Sequence, residues 1–182
     1  MLRASVLSVA ALVAVGCGAS TASDESDPAV DPARARAFAV VIQLQDAGLP
    51  VTDVVACVPP APAPAGHRAP PAAAFDDERV STRAARHVVR EGGVVEVFDS
   101  AAQVRARVRE LDAQLLTAQA YGFDEGGRAL HAERRLRAGP VLLRLSGELS
   151  ARQERGYASA LATTTEGVPP APDHLEEAPC ST

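Results

Sequence analysis

The sequence predicts a single α+β domain, in which about three helices pack on one face of a mostly antiparallel sheet of four to five strands. Short β-branched, apolar segments bounded by Pro and Gly indicate the strands. An Asp-Pro start and two capping-box patterns, each followed by apolar residues at helical spacing, indicate the helices. The chain of 182 residues is long enough for one core. The predicted domain spans 31–162, with the element order α-β-β-β-α-β-β-α.

The first helix is predicted from Pro32 to Ala47. Asp31 supplies an N-cap in front of a proline at the first helical position, and Gly48 with Pro50 ends the helix. The β-branched, apolar segment 51–58 follows as the first strand.

The Pro/Ala-rich stretch 59–73 is predicted to be a surface loop, because proline cannot donate to a β-ladder. Strand signals resume near Ala74-Phe75 and again at 87–89. The clearest strand is 94–98, which follows the turn signal Gly92-Gly93.

A second helix is predicted after Asp99, because Ser100 and Gln103 have capping-box spacing. Its apolar residues recur at intervals of four, three and four, which indicates one buried stripe on an amphipathic helix. The stripe consists of Val104, Val108, Leu111 and Leu115.

The segments 130–137 and 141–146 flank Gly139-Pro140 and predict a hairpin. A last helix is predicted from Ser150, which has Gln153 at capping-box spacing. The tail 163–182 is predicted to be disordered unless Cys180 ties it down.

The N-terminus has the composition of an export signal. Arg3 precedes the largely apolar run 4–15, and small residues precede Cys17. This pattern resembles the lipobox of bacterial lipoproteins, which implies that 1–16 is a signal peptide and that Cys17 receives the lipid. The segment 17–30 then becomes a flexible tether, and the domain lies on the extracytoplasmic side of the cell membrane. The alternative is an ordinary secretory signal with an incidental cysteine.

Two further cysteines, Cys57 and Cys180, remain in a compartment where thiols oxidise. A disulfide between them would pin the C-terminal tail to the first strand. In the competing interpretation Cys57 is a small buried hydrophobic residue and Cys180 is a free thiol.

The charges argue against nucleic acid as a partner. All eighteen basic residues are Arg, yet the net charge is −5. The arginines alternate with acidic residues and apolar positions, they form no basic stripe, and no aromatic residues lie between them to stack on bases.

The sequence contains none of the common catalytic motifs: no Gly-x-Ser-x-Gly, no His-Glu-x-x-His, no Walker loop and no Cys-x-x-Cys. His131 and Glu133 lie two residues apart, but a metal would need further ligands. Asp76, Asp77 and Glu78 lack the alternating oxygen ligands and the glycine of an EF-hand. No catalytic, cofactor or metal site is therefore predicted.

The segments 44–51, 92–98 and 139–146 resemble small lipoproteins of actinobacteria. The resemblance implies a lipid anchor and a one-domain build, and it implies no activity. The leading hypothesis is therefore a non-catalytic module, tethered to the membrane, that binds an envelope protein, a peptide or another envelope component. Its expected binding surfaces are the sheet edge and the loops around 59–71 and 121–127.

Two other hypotheses stay open. A cell-envelope hydrolase would use an unfamiliar carboxylate site, with Asp76, Asp124 or Glu125 converging in a pocket. A small-ligand carrier would need an apolar cavity between helix and sheet, and the low aromatic content of 3% argues against one.

Overall fold

A computed structural model describes residues 31–58, 69–80, 91–121, 133–164 and 175–180, with the backbone alone for 117–121. In these residues three helices accompany a six-stranded mixed sheet. The predicted α+β class is confirmed, with more strands than the four to five expected. The elements are α1 Pro32–Asp46, β1 Val51–Val58, β2 Ala72–Asp77, β3 Gly92–Val97, α2 Ala101–Tyr121, β4 Arg134–Ala138, β5 Val141–Leu145, α3 Ala151–Thr164 and β6 Glu177–Pro179.

The strands lie in the spatial order β4-β5-β3-β2-β1-β6. All neighbouring pairs are antiparallel except β1 and β6, which run parallel. Within the described residues, β4 and β6 therefore form the two edges of the sheet. No helix in these parts of the chain combines the length and the apolar character needed to cross a membrane.

Local sequence accounts for the helix and turn boundaries. The Asp31 side chain accepts a hydrogen bond of 3.0 Å from the Ala33 N–H and caps α1, as predicted. Between β4 and β5, Gly139 has a φ of +54°. Pro140 holds a negative φ, so this two-residue turn belongs to type II′, which favours glycine at its first central position.

The helices do not all pack on one face of the sheet, which corrects the prediction. On one face, α1 and α3 cover a core that includes Phe75 and Leu143. The preceding residue of β5, Leu142, points the other way and packs against Val104 and Leu111 of α2. The strands β3 and β5 carry apolar residues on both faces, so each face can bind a helix. The resulting arrangement is three-layered at this end of the sheet.

The tail 163–182 was predicted to be disordered unless Cys180 ties it down, and the structure describes ordered residues in it at 163–164 and 175–180. Helix α3 continues through Thr164, and β6 pairs in parallel with Ala56, Cys57 and Val58 of β1. Cys57 and Cys180 form a disulfide with a Cα–Cα distance of 5.2 Å. The covalent bond and the short parallel pairing hold residues 177–180 against β1, so the condition under which the prediction expected order is met.

Several predicted features lie outside the described residues. These are the signal peptide and tether at 1–30, residues 59–68 of the Pro/Ala-rich loop, the strand at 87–89 and nearly all of the loop around 121–127. The predicted loop 59–73 is too long at its end, because Ala72 and Ala73 pair with β1 and β3 as the start of β2.

Candidate functional site

The carboxylates considered for catalysis or calcium binding do not form one site in the described residues. Asp76 and Asp77 are consecutive in β2, so their side chains leave opposite faces of the sheet. Glu78 lies in the turn that follows the strand. Asp124 and Glu125 lie outside the described residues.

Asp77 is completely buried and is bound by two neighbouring side chains. Arg79 donates from Nε to Oδ1 at 2.9 Å and from Nη2 to Oδ2 at 2.6 Å. The Tyr157 hydroxyl donates to Oδ2 at 2.7 Å. The Arg79 guanidinium also lies over the Tyr157 ring, 5.7 Å from its centroid. Both oxygens of this carboxylate are thus occupied by donors of the chain itself.

The electrostatics of this cluster favour an ionised Asp77 and a neutral Tyr157. Burial by itself would raise the pKa of Asp77, but the hydrogen bonds from Arg79 and Tyr157 outweigh burial and lower this pKa. Burial, reinforced by the hydrogen bond to Asp77, raises the pKa of Tyr157 far above its usual value. The arrangement is suited to fastening β2 and its turn to α3, and it leaves no acid or base poised near neutral pH.

A second charged cluster lies on the opposite face, between the sheet and α2. Glu96 in β3 is completely buried and accepts hydrogen bonds from two arginines. Arg107 of α2 binds both carboxylate oxygens at 3.1 and 3.2 Å, and Arg144 of β5 binds Oε1 at 2.9 Å. Burial opposes the charge on Arg107, but its bonds to Glu96 and Glu110 prevail, so its pKa is raised.

The network continues toward the sheet edge. Arg144 also donates to Glu133 at 2.8 and 3.0 Å. Glu133 in turn accepts from Arg135 of β4, and Arg135 reaches Asp112 of α2. Because positive and negative groups alternate, the cluster neutralises itself and clamps α2 onto the sheet.

The described residues supply no further ligands for a metal ion at His131 and Glu133. His131 lies outside the described residues, and Glu133 is occupied by two arginines. The described part of the chain holds no group of three or more His, Cys, Asp or Glu side chains arranged for a metal.

Neither charged cluster was predicted from the sequence, although the sequence contains a signal for one of them. Glu96 interrupts the apolar run of β3, and Arg144 interrupts that of β5. A charged residue at the centre of an apolar strand needs a partner of opposite charge. The sequence alone does not show that these two residues, 48 positions apart, face each other.

The outer edge of β4 is the strongest candidate for an interaction surface. Among the described residues, no strand pairs with the side of β4 that faces away from β5. Ala138 and Val141 flank the two-residue turn and form a hydrogen-bonded pair, and such pairs alternate along the hairpin. The N–H and C=O groups of Arg135 and Arg137 therefore point outward.

Helix α2 presents one flank to this edge. Asp112 lies on that flank, because its carboxylate binds Arg135 of β4. Arg109 is one turn before Asp112 and Arg105 is two turns before it, so helical periodicity places both on the same flank. Arg105, Arg109 and Arg137 are exposed. None of these three arginines makes an ion pair with another residue that the structure describes. The edge thus combines outward backbone groups with positive charge.

The other predicted binding surfaces, the loops around 59–71 and 121–127, lie almost entirely outside the described residues. Comparison of the chain with protein-family models, with curated proteins and with solved structures finds no match.

Proposed function

We propose that the chain is an exported, lipid-anchored module that binds another component of the cell envelope and does so without catalysis. The binding part of this proposal rests on the open edge of β4. The location rests on the lipobox-like pattern that ends at Cys17.

The disulfide supports an extracytoplasmic location. Cys57 and Cys180 are bonded to each other, and disulfides of this kind persist in oxidising compartments. Of the three cysteines in the chain, this bond uses Cys57 and Cys180 and leaves the Cys17 thiol outside it, as attachment of a lipid to Cys17 requires. A diacylglyceryl group there would hold the domain durably at the membrane, since about 0.8 kcal/mol accrues for each buried methylene.

The strand edge supports a binding role. An exposed edge offers unpaired N–H and C=O groups that can pair with another chain. The buried carboxylates Asp77 and Glu96, which lie on opposite faces of the sheet, are each bound by arginine, so their arrangement favours stability of the scaffold over acid–base chemistry. A stable scaffold with an exposed strand edge, such as the edge that β4 forms among the described residues, suits a binding module.

The location is tested by comparing the wild type with Cys17→Ser in the native host. We expect the wild type in the membrane fraction with a lipid on Cys17, and the variant without lipid and released from the membrane. Recovery of wild-type chain with an unmodified Cys17 contradicts the proposal.

The binding role is tested by photo-crosslinking in the same membranes. A crosslinker at Arg137 on β4 is expected to capture a partner, and one at the exposed Arg36 on α1 serves as the matched control. Equal labelling from both positions contradicts a binding edge. The hydrolase alternative requires an envelope-cleaving activity of the purified chain that is lost in Asp124→Asn, and the proposal predicts no such activity.

A further inference from the structure

We propose that the open edge of β4 accepts an extended acidic segment of a partner protein as an additional strand of the sheet. This inference rests on the proposed binding function and names the chemistry of the partner. The segment would alternate acidic and apolar residues, with the acidic side chains on the α2 side of the sheet.

The backbone geometry provides the first argument. Arg135 and Arg137 present outward N–H and C=O groups at alternate positions of β4, as a strand does toward its neighbour in an antiparallel or parallel ladder. The two residues are separated by about 7 Å along the strand, so an added strand would form its bonds at this repeat.

The charges provide the second argument. Arg105 and Arg109 are one helical turn apart, about 6 Å along the axis. Alternate residues of an added strand are separated by a closely similar distance, about 7 Å. Acidic side chains at alternate positions would therefore match the spacing of these arginines, with Arg137 on the same face of the sheet as a third partner.

The apolar surface provides the third argument. On the face of β4 that points toward α3, Leu136 and Ala138 are partly buried against the main core. Apolar side chains of an added strand would extend this contact on the α3 side.

The competing explanation is that edge arginines protect the sheet from pairing. If the arginines only protect the edge, neither an acidic nor a basic strand adds to the sheet there. A receptor edge, in contrast, discriminates between acidic and basic strands. The two explanations therefore predict opposite results with matched peptides.

The probe is a synthetic peptide of about eight residues that alternates Glu and Val, which is long enough to cover a strand. Its controls are the same peptide with Lys in place of Glu, and a copy that is N-methylated at alternate amides. Binding of each peptide to the full-length chain is measured by fluorescence anisotropy and by amide chemical shifts. We expect saturable binding of the Glu peptide, with the largest shifts at Arg135 and Arg137.

The variants separate backbone bonds from charge. Arg137→Pro removes the outward N–H while leaving the ladder to β5, whereas Arg137→Ala removes the charge alone. The double variant of Arg105→Glu and Arg109→Glu is expected to raise the Kd at least about fivefold, as the loss of one ion pair of about 1 kcal/mol would. Arg36→Glu on α1 is expected to leave the Kd unchanged. If Arg137→Pro unfolds the domain, the N-methylated peptide tests the same bonds from the ligand side.

Failure of this inference is distinct from failure of the proposed function. Absence of Glu-peptide binding up to about 1 mM, equal binding of the Lys peptide, or insensitivity to the Arg105 and Arg109 changes overturns the acidic-strand site. A membrane partner crosslinked at another surface would also overturn it and would leave the binding function standing. An unmodified Cys17 refutes the location and leaves the peptide result unaffected.

Discussion

Replacing Tyr157 with Phe tests the cluster that fastens β2 to α3. The substitution removes the hydroxyl that donates to Asp77 at 2.7 Å and keeps the ring, which packs against Phe75 with centroids 5.9 Å apart. Asp77 and Tyr157 are both completely buried, and a hydrogen bond to a charged acceptor contributes about 1.5–3 kcal/mol. Asp77 keeps its bonds to Arg79, so we expect the free energy of unfolding to fall by an amount near the middle of this range, about 2 kcal/mol. For a domain of roughly 130 residues this corresponds to a Tm lower by about 7 °C.

The pH dependence of this loss follows from the two shifted groups. Because the pKa of Asp77 is lowered in the folded state, its stabilisation is present above the unfolded value of about 3.9 and is lost as the pH falls through the folded pKa. Because the pKa of Tyr157 is raised, its contribution is complete below about pH 10 and is lost at higher pH, where the unfolded chain ionises. The difference in the free energy of unfolding between the wild type and Tyr157→Phe should therefore be largest between about pH 4 and pH 10.

Urea unfolding of both proteins at acidic, neutral and alkaline pH measures this difference in the free energy of unfolding. Asp77→Asn and the double variant complete a mutant cycle that isolates the coupling of Tyr157 to Asp77. The reasoning is refuted if Tyr157→Phe lowers the free energy of unfolding by less than about 0.5 kcal/mol at neutral pH and the difference from the wild type does not become smaller at acidic pH.

Three further perturbations probe other parts of the structure. Glu96→Gln removes the buried carboxylate that Arg107 and Arg144 share and leaves these arginines only Glu110 and Glu133. We therefore expect the free energy of unfolding, measured in urea, to fall by about 3 kcal/mol, the lower end of the range for a broken buried pair, and a fall below about 1 kcal/mol would contradict the network. Changing both Cys57 and Cys180 to Ser opens the loop that the disulfide closes, which has a sequence separation of 123. Calorimetry should show a free energy of unfolding lower by about 3–5 kcal/mol, and an unchanged Tm would contradict the disulfide. Gly92→Ala places a Cβ 2.4 Å from the Phe75 carbonyl oxygen and should lower the free energy of unfolding by at least about 2 kcal/mol. Gly156→Ala in α3 brings its Cβ only into ordinary contact and should raise the free energy of unfolding by about 0.5–1 kcal/mol. Equal effects of the two substitutions would contradict this packing.

Elements with strong local signals were predicted well from the sequence. The β-branched run that forms β1 was predicted with the bounds that the structure shows, and α1 ends one residue earlier than predicted. Gly139-Pro140 was correctly placed between two strands, because the turn chemistry is local. In these cases the neighbouring residues alone determine the element.

The layer of α2 and the existence of β6 depend on contacts distant in sequence. The apolar stripe of α2 shows which side is buried, but it does not show which face of the sheet receives it. The partner of Val104 and Leu111 is Leu142, an apolar residue on the face opposite to the main core. The strand Glu177–Pro179 has no periodicity of its own, and its pairing with β1 accompanies the disulfide.

The candidate surface was predicted only as a sheet edge. The spatial order of the strands determines which of them lie at the edges of the sheet. In that order β5 lies next to β3 and β4 lies at the edge, although β4 comes directly before β5 in the chain. The ion pair between Asp112 and Arg135 shows which flank of α2 faces β4, and Arg105 and Arg109 lie on that flank. Such tertiary relations are not encoded in any local pattern.

Intact-mass analysis of the chain from membranes of its own host, before and after reduction, examines anchor and disulfide together. The proposed function predicts a chain that begins at Cys17, carries the mass of a lipid on that residue and gains a pair of hydrogens on reduction. A chain whose Cys17 is unmodified would contradict the membrane-anchored module proposed here.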